Sequence, residues 1–284
     1  MMPNDERDTS GGRGEGRFAT FVLERAVAAP LAVLWQVWTA PAARAVWLPA
    51  AEREAARDSG WLVLQPGLGS IGYECVAPDG AAEAAALVTA EFADTGETSR
   101  LVATVQRAAL AGGSGAAAAR EDFAAALDRL AAAAERTLLI ERVLRAPRAA
   151  VWDAWMNEEA LPQWWGPDGY SCRTRRIALE PGGEWVFEMI GPDGTVYPNH
   201  HRYGEIQPGE RLAYTLLWGE NGPKHADAWV AFEDHAEGTR VTLGMVMSSR
   251  AEYEAAKGFG ALELGLQTLG KLERMVEARR AAAV

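Results

Sequence analysis

Several things are scarce in this 284-residue chain, and each scarcity excludes something. There are two cysteines, Cys75 and Cys172, far apart in the chain. A secreted disulfide scaffold would carry more, and a cysteine metal site would need closer spacing, so reduced thiols are the expectation. Only three of the 28 basic residues are lysines, and 39 acidic residues leave a net charge of −11. No Lys/Arg cluster supplies the basic face that a nucleic-acid binder or an anionic-membrane binder requires. No apolar run approaches the ~20 residues that would cross a bilayer. The segment Met1–Arg7 has no apolar core of the signal-peptide kind. These shortages predict a soluble, cytoplasmic, acidic protein with neither nucleic acid nor membrane as a partner.

What is present is ordinary globular material, 49% hydrophobic and 24% charged. The length suits two domains, and a repeat supports that division. A shift of 117 positions pairs Glu24 with Glu141, Arg25 with Arg142 and Pro30 with Pro147. The same shift pairs Trp35, Trp38 and Trp47 with Trp152, Trp155 and Trp164. The chain therefore reads as a tandem duplication, with a tail at 1–16 expected to be disordered and copies at 17–135 and 136–284. Each copy opens with a strand-like run ending at Ala-Pro, followed by a helix carrying W-x-x-W. Proline suits a helix entrance because its missing N–H would be an orphan there.

In the second copy, strand-like runs follow at Gly183–Ile190, His201–Ile206, Leu212–Trp218, Ala228–Glu233 and Thr239–Met247, separated by turn residues. From about Glu252 the period becomes helical, with Phe259, Leu262, Leu266, Leu269, Leu272 and Val276 on one stripe. Nothing alternates strand with helix, so the class is α+β with antiparallel sheets. The first copy is shorter. Its Tyr73 and Glu74 match Phe187 and Glu188 at an offset of 114, whereas Phe92 and Arg100 match Phe232 and Arg240 at 140. The stretch without a counterpart is roughly Thr195–Asn221, two strands with their turns. A helix from about Ala116 to Glu135 closes this copy.

The ordered motifs of the second copy resemble a known superfamily. They are ERxxxAPxxxVWxAW (141–155), LPQWWGP (161–167), PGGEWxFEMxGPDG (181–194), YPNHHRYGEIQPGERLAYT (197–215), FEDHAEGTRVTL (232–243) and FGALELGLQTLGKLE (259–273). As a set they resemble the START/polyketide-cyclase-like (SRPBCC) superfamily, in the bacterial branch named after the activator of heat shock protein 90 ATPase. The resemblance covers 137–278 almost end to end, and 17–135 with the middle of the pattern deleted. It implies tandem helix-grip domains, each a curved antiparallel sheet packed on a long C-terminal helix around an apolar cavity. It also implies a small hydrophobic ligand, aromatic, lipid or polyketide-like.

Candidate sites are few. Gly67–Gly72 fits G-x-G-x-x-G, but a dinucleotide fingerprint needs a helix to open there. The repeat makes this segment a strand, so no cofactor is expected. The histidines His200, His201, His225 and His235 lack metal-ligand spacing, and the first two point to opposite faces of a strand, so no metal is expected either. Alternation puts His201 beside Tyr203, a polar pair on an apolar wall that could orient a carbonyl or exchange protons. Trp155, Trp165, Trp185, Phe187, Met189, Tyr203, Tyr214, Trp218, Met245, Phe259 and Leu262 are the ligand-binding candidates, with deformable methionines suited to variable apolar shapes. Three functions follow. The first is ligand binding by the second domain, the truncated first domain being a structural cap or a homodimer surface. The second is a cyclase or dehydratase using His201, Tyr203 and Tyr214. The third is a co-chaperone-like interaction module.

Overall fold

Pro30 and Pro147 do the same work in both copies. In the computed structural model, which describes residues 17–48, 61–65, 68–76, 82–96, 98–109 and 116–282, they occupy helix N-caps at φ −58° and −61°. The Pro30 carbonyl accepts from the amides of Val33 and Leu34, and the Pro147 carbonyl from those of Ala150 and Val151. Other bonds recur at the offsets read from the sequence. Trp47 Nε1 donates to the Val37 carbonyl at 2.9 Å, and Trp164 Nε1 to that of Ala154 at 3.0 Å. Ser99 Oγ donates to the Ala29 carbonyl and Thr239 Oγ1 to that of Ala146, both at 2.7 Å. The pair Glu24–Arg100 returns as Glu141–Arg240.

The first copy runs β1 (Arg17–Val27), α1 (Leu31–Thr39), α2 (Pro41–Trp47), β2 (Trp61–Gln65), β3 (Leu68–Val76), β4 (Ala82–Asp94), β5 (Ser99–Ala109) and α3 (Ala116–Ala134). Its strands form a sheet in the order β1-β5-β4-β3-β2. The second runs β6 (Thr137–Leu144), α4 (Arg148–Trp155), α5 (Leu161–Trp164), β7 (Ser171–Ile177), β8 (Glu184–Ile190), β9 (Val196–Gln207), β10 (Arg211–Trp218), β11 (Lys224–His235), β12 (Gly238–Met247), α6 (Arg250–Gly258) and α7 (Ala261–Ala282). Its sheet has the order β6-β12-β11-β10-β9-β8-β7. Among the described residues the first sheet has five strands and the second seven. The two without counterparts are β9 and β10, the hairpin that the offsets mark as missing. Because an adjacent pair is absent, β3 still runs antiparallel to β4, and a short connection suffices. Residues 68–76 of the glycine-rich segment are strand β3, so no dinucleotide-binding helix opens there. The expected tail at 1–16 lies outside the described residues. Among the described residues no helix is long and apolar enough to cross a membrane.

Contacts divide the chain into two compact units, Met1–Arg25 with Leu48–Ala93 and Arg100–Leu127, and Ala26–Trp47 with Asp94–Ser99 and Asp128–Val284. The second unit therefore includes α1 and α2. There α1 lies against β6 and α2 against β11. Arg44 of α2 comes near Arg211 and Glu205, and burial above all pushes its guanidinium down to about 9. Pairing shows which face they cover. Trp229 sits opposite Gly244 and points away from the core that packs on α7, yet it is buried, as are Leu217 and Val246.

That core lies between the seven-stranded sheet and α7, with α4 and α5 closing one side. Leu138, Ile140, Val230, Phe232, Val241 and Leu243 meet Leu269, Leu272 and Val276 there. The helix approaches β6 closely at Gly265, where an added Cβ would stand 2.2 Å from Ile140 Cδ1. The C-terminal helix differs from its expected continuous form. It breaks at Phe259–Gly260, where Gly260 adopts φ +82°, a conformation glycine takes without steric cost. The preceding piece, α6, begins at Ser249, whose side chain accepts from the Glu252 amide.

Gly244 supplies a test of the outer layer. A Cβ at this position would fall 2.1 Å from Trp229 Cζ2 and 2.4 Å from two further ring atoms. Gly244→Ala is expected to lower stability by about 1–3 kcal/mol through overpacking, read as a reduced urea midpoint at unchanged m-value.

Candidate functional site

The strand pleat sorts the second sheet into two chemically different faces. Pairing aligns Trp185 with His201 and Phe187 with Asn199 across β8 and β9. It aligns His201 with Leu216 and Tyr203 with Tyr214 across β9 and β10. These side chains share the face that curves round α7. On the opposite face, Glu188 is clamped by Arg173 and Arg175, which hold its carboxyl below the usual carboxylate range. His200 is buried on that outer face as well. Its Nε2 lies 2.7 Å from Glu184 Oε2, and its Nδ1 accepts from the Asn221 amide at 3.2 Å.

His201 is surrounded by rings on the inner face. Tyr214 stacks on it at 4.8 Å and 22°, while Phe187, Trp165 and Trp185 meet it edge-on at 5.0, 5.3 and 5.4 Å. Trp155 packs against Trp165 at 5.8 Å, extending the aromatic wall. Tyr203 lies 5.8 Å from Tyr214. Met189 and Met245 are half-buried at the margins of the same core. The imidazole and the two phenols therefore converge.

Burial dominates their proton affinities. It pushes His201 down to about 3, with His200 a lesser contributor, and raises both Tyr203 and Tyr214. All three groups are uncharged near neutral pH. None of the three side chains has a hydrogen-bond partner among the described residues. The three groups are set in a closely packed aromatic wall, to which they add uncharged hydrogen-bonding chemistry.

The remaining candidates stand elsewhere. Trp218, Phe259 and Leu262 are exposed by 43%, 58% and 40%. Trp218 lies at the end of β10, 4.3 Å from the His225 ring, and His225 Nδ1 is 2.8 Å from Glu252 Oε2 of α6. Phe259, at the helix break, lies 6.3 Å from Tyr197. Trp218 thus reaches α6 through His225 and Glu252, while Phe259 caps the end of that helix.

Residues of β7 were not foreseen. Cys172 pairs with Met189 and Thr174 with Phe187, both on the inner face. Cys172 is a free thiol whose Sγ donates to the Trp165 carbonyl at 3.4 Å, and burial pushes it up to about 12. The alternation of Cys172 and Thr174 with Arg173 and Arg175 was the available signal. Among the described residues no His/Cys/Asp/Glu group is arranged to hold a metal ion.

Residues 145–277 match the family model described as activator of Hsp90 ATPase homolog 1-like protein. No curated protein matches the chain. A crystal structure of a Nitrosomonas europaea protein is 26% identical over 52% of this chain and 97% of its own, with a TM-score of 0.48. One from Chromobacterium violaceum is 24% identical over 50% and 97%, with a TM-score of 0.43. The di-domain ARO/CYC StfQ from the steffimycin biosynthetic pathway is 12% identical over 92% and 99%, with a TM-score of 0.42.

The site's polar core has a pH signature. His201 titrates near 6.5 when unfolded and at about 3 when folded, so between these values the unfolded chain binds the extra proton. Its contribution to stability is complete above pH 6.5 and falls as the solution is acidified toward pH 3, by up to ~1.4 kcal/mol per pH unit. His201→Phe is expected to remove this slope in urea unfolding at pH 7, 5.5 and 4.5. At pH 7 it should cost little stability, because no protein hydrogen bond is lost.

Proposed function

We propose that the domain spanning residues 145–277, which match the activator of Hsp90 ATPase homolog 1-like family model, belongs to that family and binds a small hydrophobic molecule inside its grip. The observation that carries the proposal is the trio His201, Tyr203 and Tyr214, three uncharged polar groups gathered beside Trp165, Trp185 and Phe187. An apolar wall bearing a few convergent polar groups is the usual makeup of a small-molecule site. The rings supply burial energy, and the three polar groups set orientation. Trp218, Phe259 and Leu262 would form the mouth, where a ligand first leaves water. The first domain, without the hairpin that carries the polar groups in the second, has a structural role in this reading.

Convergence of the same three groups also favours an acid–base enzyme, but their proton affinities argue against it. A general base works best with a pKa near the operating pH. The His201 imidazole, pushed down to about 3, is a weak base, and the raised phenols are weak acids. All three are better suited to donating and accepting fixed hydrogen bonds.

Native mass spectrometry of the protein purified from its own cells tests the binding reading. The expected result is a small-molecule adduct that disappears on denaturation. Trp218→Ala, at an exposed position, should weaken binding of that molecule by about three- to tenfold, the range expected of one aromatic contact. An adduct-free mass, together with no uptake of apolar aromatic probes, would refute the reading.

A further inference from the structure

The charges of the second domain are distributed in a way that bears on ligand chemistry. The inner-facing positions of β8 carry Trp185, Phe187 and Met189, and those of β9 carry Asn199, His201 and Tyr203. On β10 they are Leu212, Tyr214 and Leu216, followed by Ala226, Ala228, Val230 and Phe232 on β11. Val241, Leu243, Met245 and Met247 complete the wall on β12. No Asp, Glu, Lys or Arg stands among these positions.

Two cations on neighbouring elements have partners of their own. Arg142, inward-facing on β6, is bound to Glu273 of α7 at 2.8 Å. Lys271 donates to the carbonyls of Tyr170 and Pro167, at 3.1 and 3.4 Å. The Asn199 amide donates to the Tyr197 carbonyl at 2.8 Å. A carboxylate, sulfonate or phosphate entering this wall would lose its hydration and meet no Lys or Arg at these wall positions, a cost that ordinarily excludes buried charge. An uncharged hydroxyl or carbonyl would instead meet the unpaired imidazole and phenols.

Resting on the ligand-binding reading above, we infer that the grip selects uncharged aromatic molecules bearing a hydroxyl or carbonyl and rejects their acidic counterparts. Selection comes from the polar trio, which rewards a neutral hydrogen-bonding group, and from the charge-free wall, which penalises an anion. The site thereby discriminates against fatty-acid-like ligands of similar apolar area.

Three probes of nearly equal ring area test this on the full chain at pH 7: 2-naphthol, naphthalene and 2-naphthoate, followed by tryptophan fluorescence quenching. The expected order is 2-naphthol at least ~10-fold tighter than naphthalene, the equivalent of one hydrogen bond, with 2-naphthoate weakest. Tyr214→Phe keeps the ring and His201→Phe keeps the aromatic volume. Each should reduce the advantage of 2-naphthol over naphthalene. Equal binding of 2-naphthoate and 2-naphthol would overturn the selectivity and leave ligand binding standing. Binding of naphthalene and 2-naphthol at equal strength would overturn the role of the trio. Failure of all three probes, with an adduct-free native mass, would overturn the binding reading and this inference together.

Discussion

A sheet that wraps a helix has to keep one face apolar over its whole width, and the strand pleat enforces this residue by residue. In the second domain, each step along β8, and along β9 as far as Tyr203, sends consecutive side chains to opposite faces. Trp185 and Glu184, Phe187 and Glu188, and His201 and His200 are neighbours in sequence and belong to different environments. The inner members make the aromatic wall. The outer members make an ion-pair surface in which Arg173, Arg175 and Arg176 meet Glu188, Glu184 and Glu220. A one-residue slip in register would bring these carboxylates into the grip and put the tryptophans outside. The uncharged character of the site thus follows from the constraint that gives the sheet its core.

Much of this was legible beforehand, for identifiable reasons. Tandem copies share their contacts, so the offsets of 117 and 140 reappear as matched bonds at Trp47 and Trp164, and at Ser99 and Thr239. The hairpin absent from the first copy was legible because the offset between matching residues changes from 114 to 140 across it. His201 and Tyr203 could be placed on one face from alternation alone. The bulge that shifts register between Leu212 and Tyr214 begins after Tyr203 and leaves that pairing intact.

Other features depended on tertiary context. Strand β7 is a sheet edge whose arginines serve the outer face, so its apolar alternation is weak. The break at Phe259–Gly260 interrupts a stripe that reads as continuous, because a hydrophobic period carries no information on a single left-handed residue. The absence of partners for His201 cannot be read from a sequence at all, since it depends on what every neighbouring strand leaves unoffered. The placement of α1 and α2 against β6 and β11 is likewise invisible to repeat analysis, which groups residues by ancestry rather than by contact.

That last feature bears on how the chain can be assembled as it is made. Residues 26–47 are synthesised well before the strands that α1 and α2 lie against, the last of which, β11, ends at His235. The apolar surfaces of α1 and α2 that face this sheet must therefore wait through the synthesis of some two hundred further residues before their partner exists. At the ~5–20 residues per second typical of translation, that is an interval of roughly ten to forty seconds. The second unit cannot complete its packing as an independent C-terminal module, and its folding is tied to the fate of helices that left the ribosome long before it.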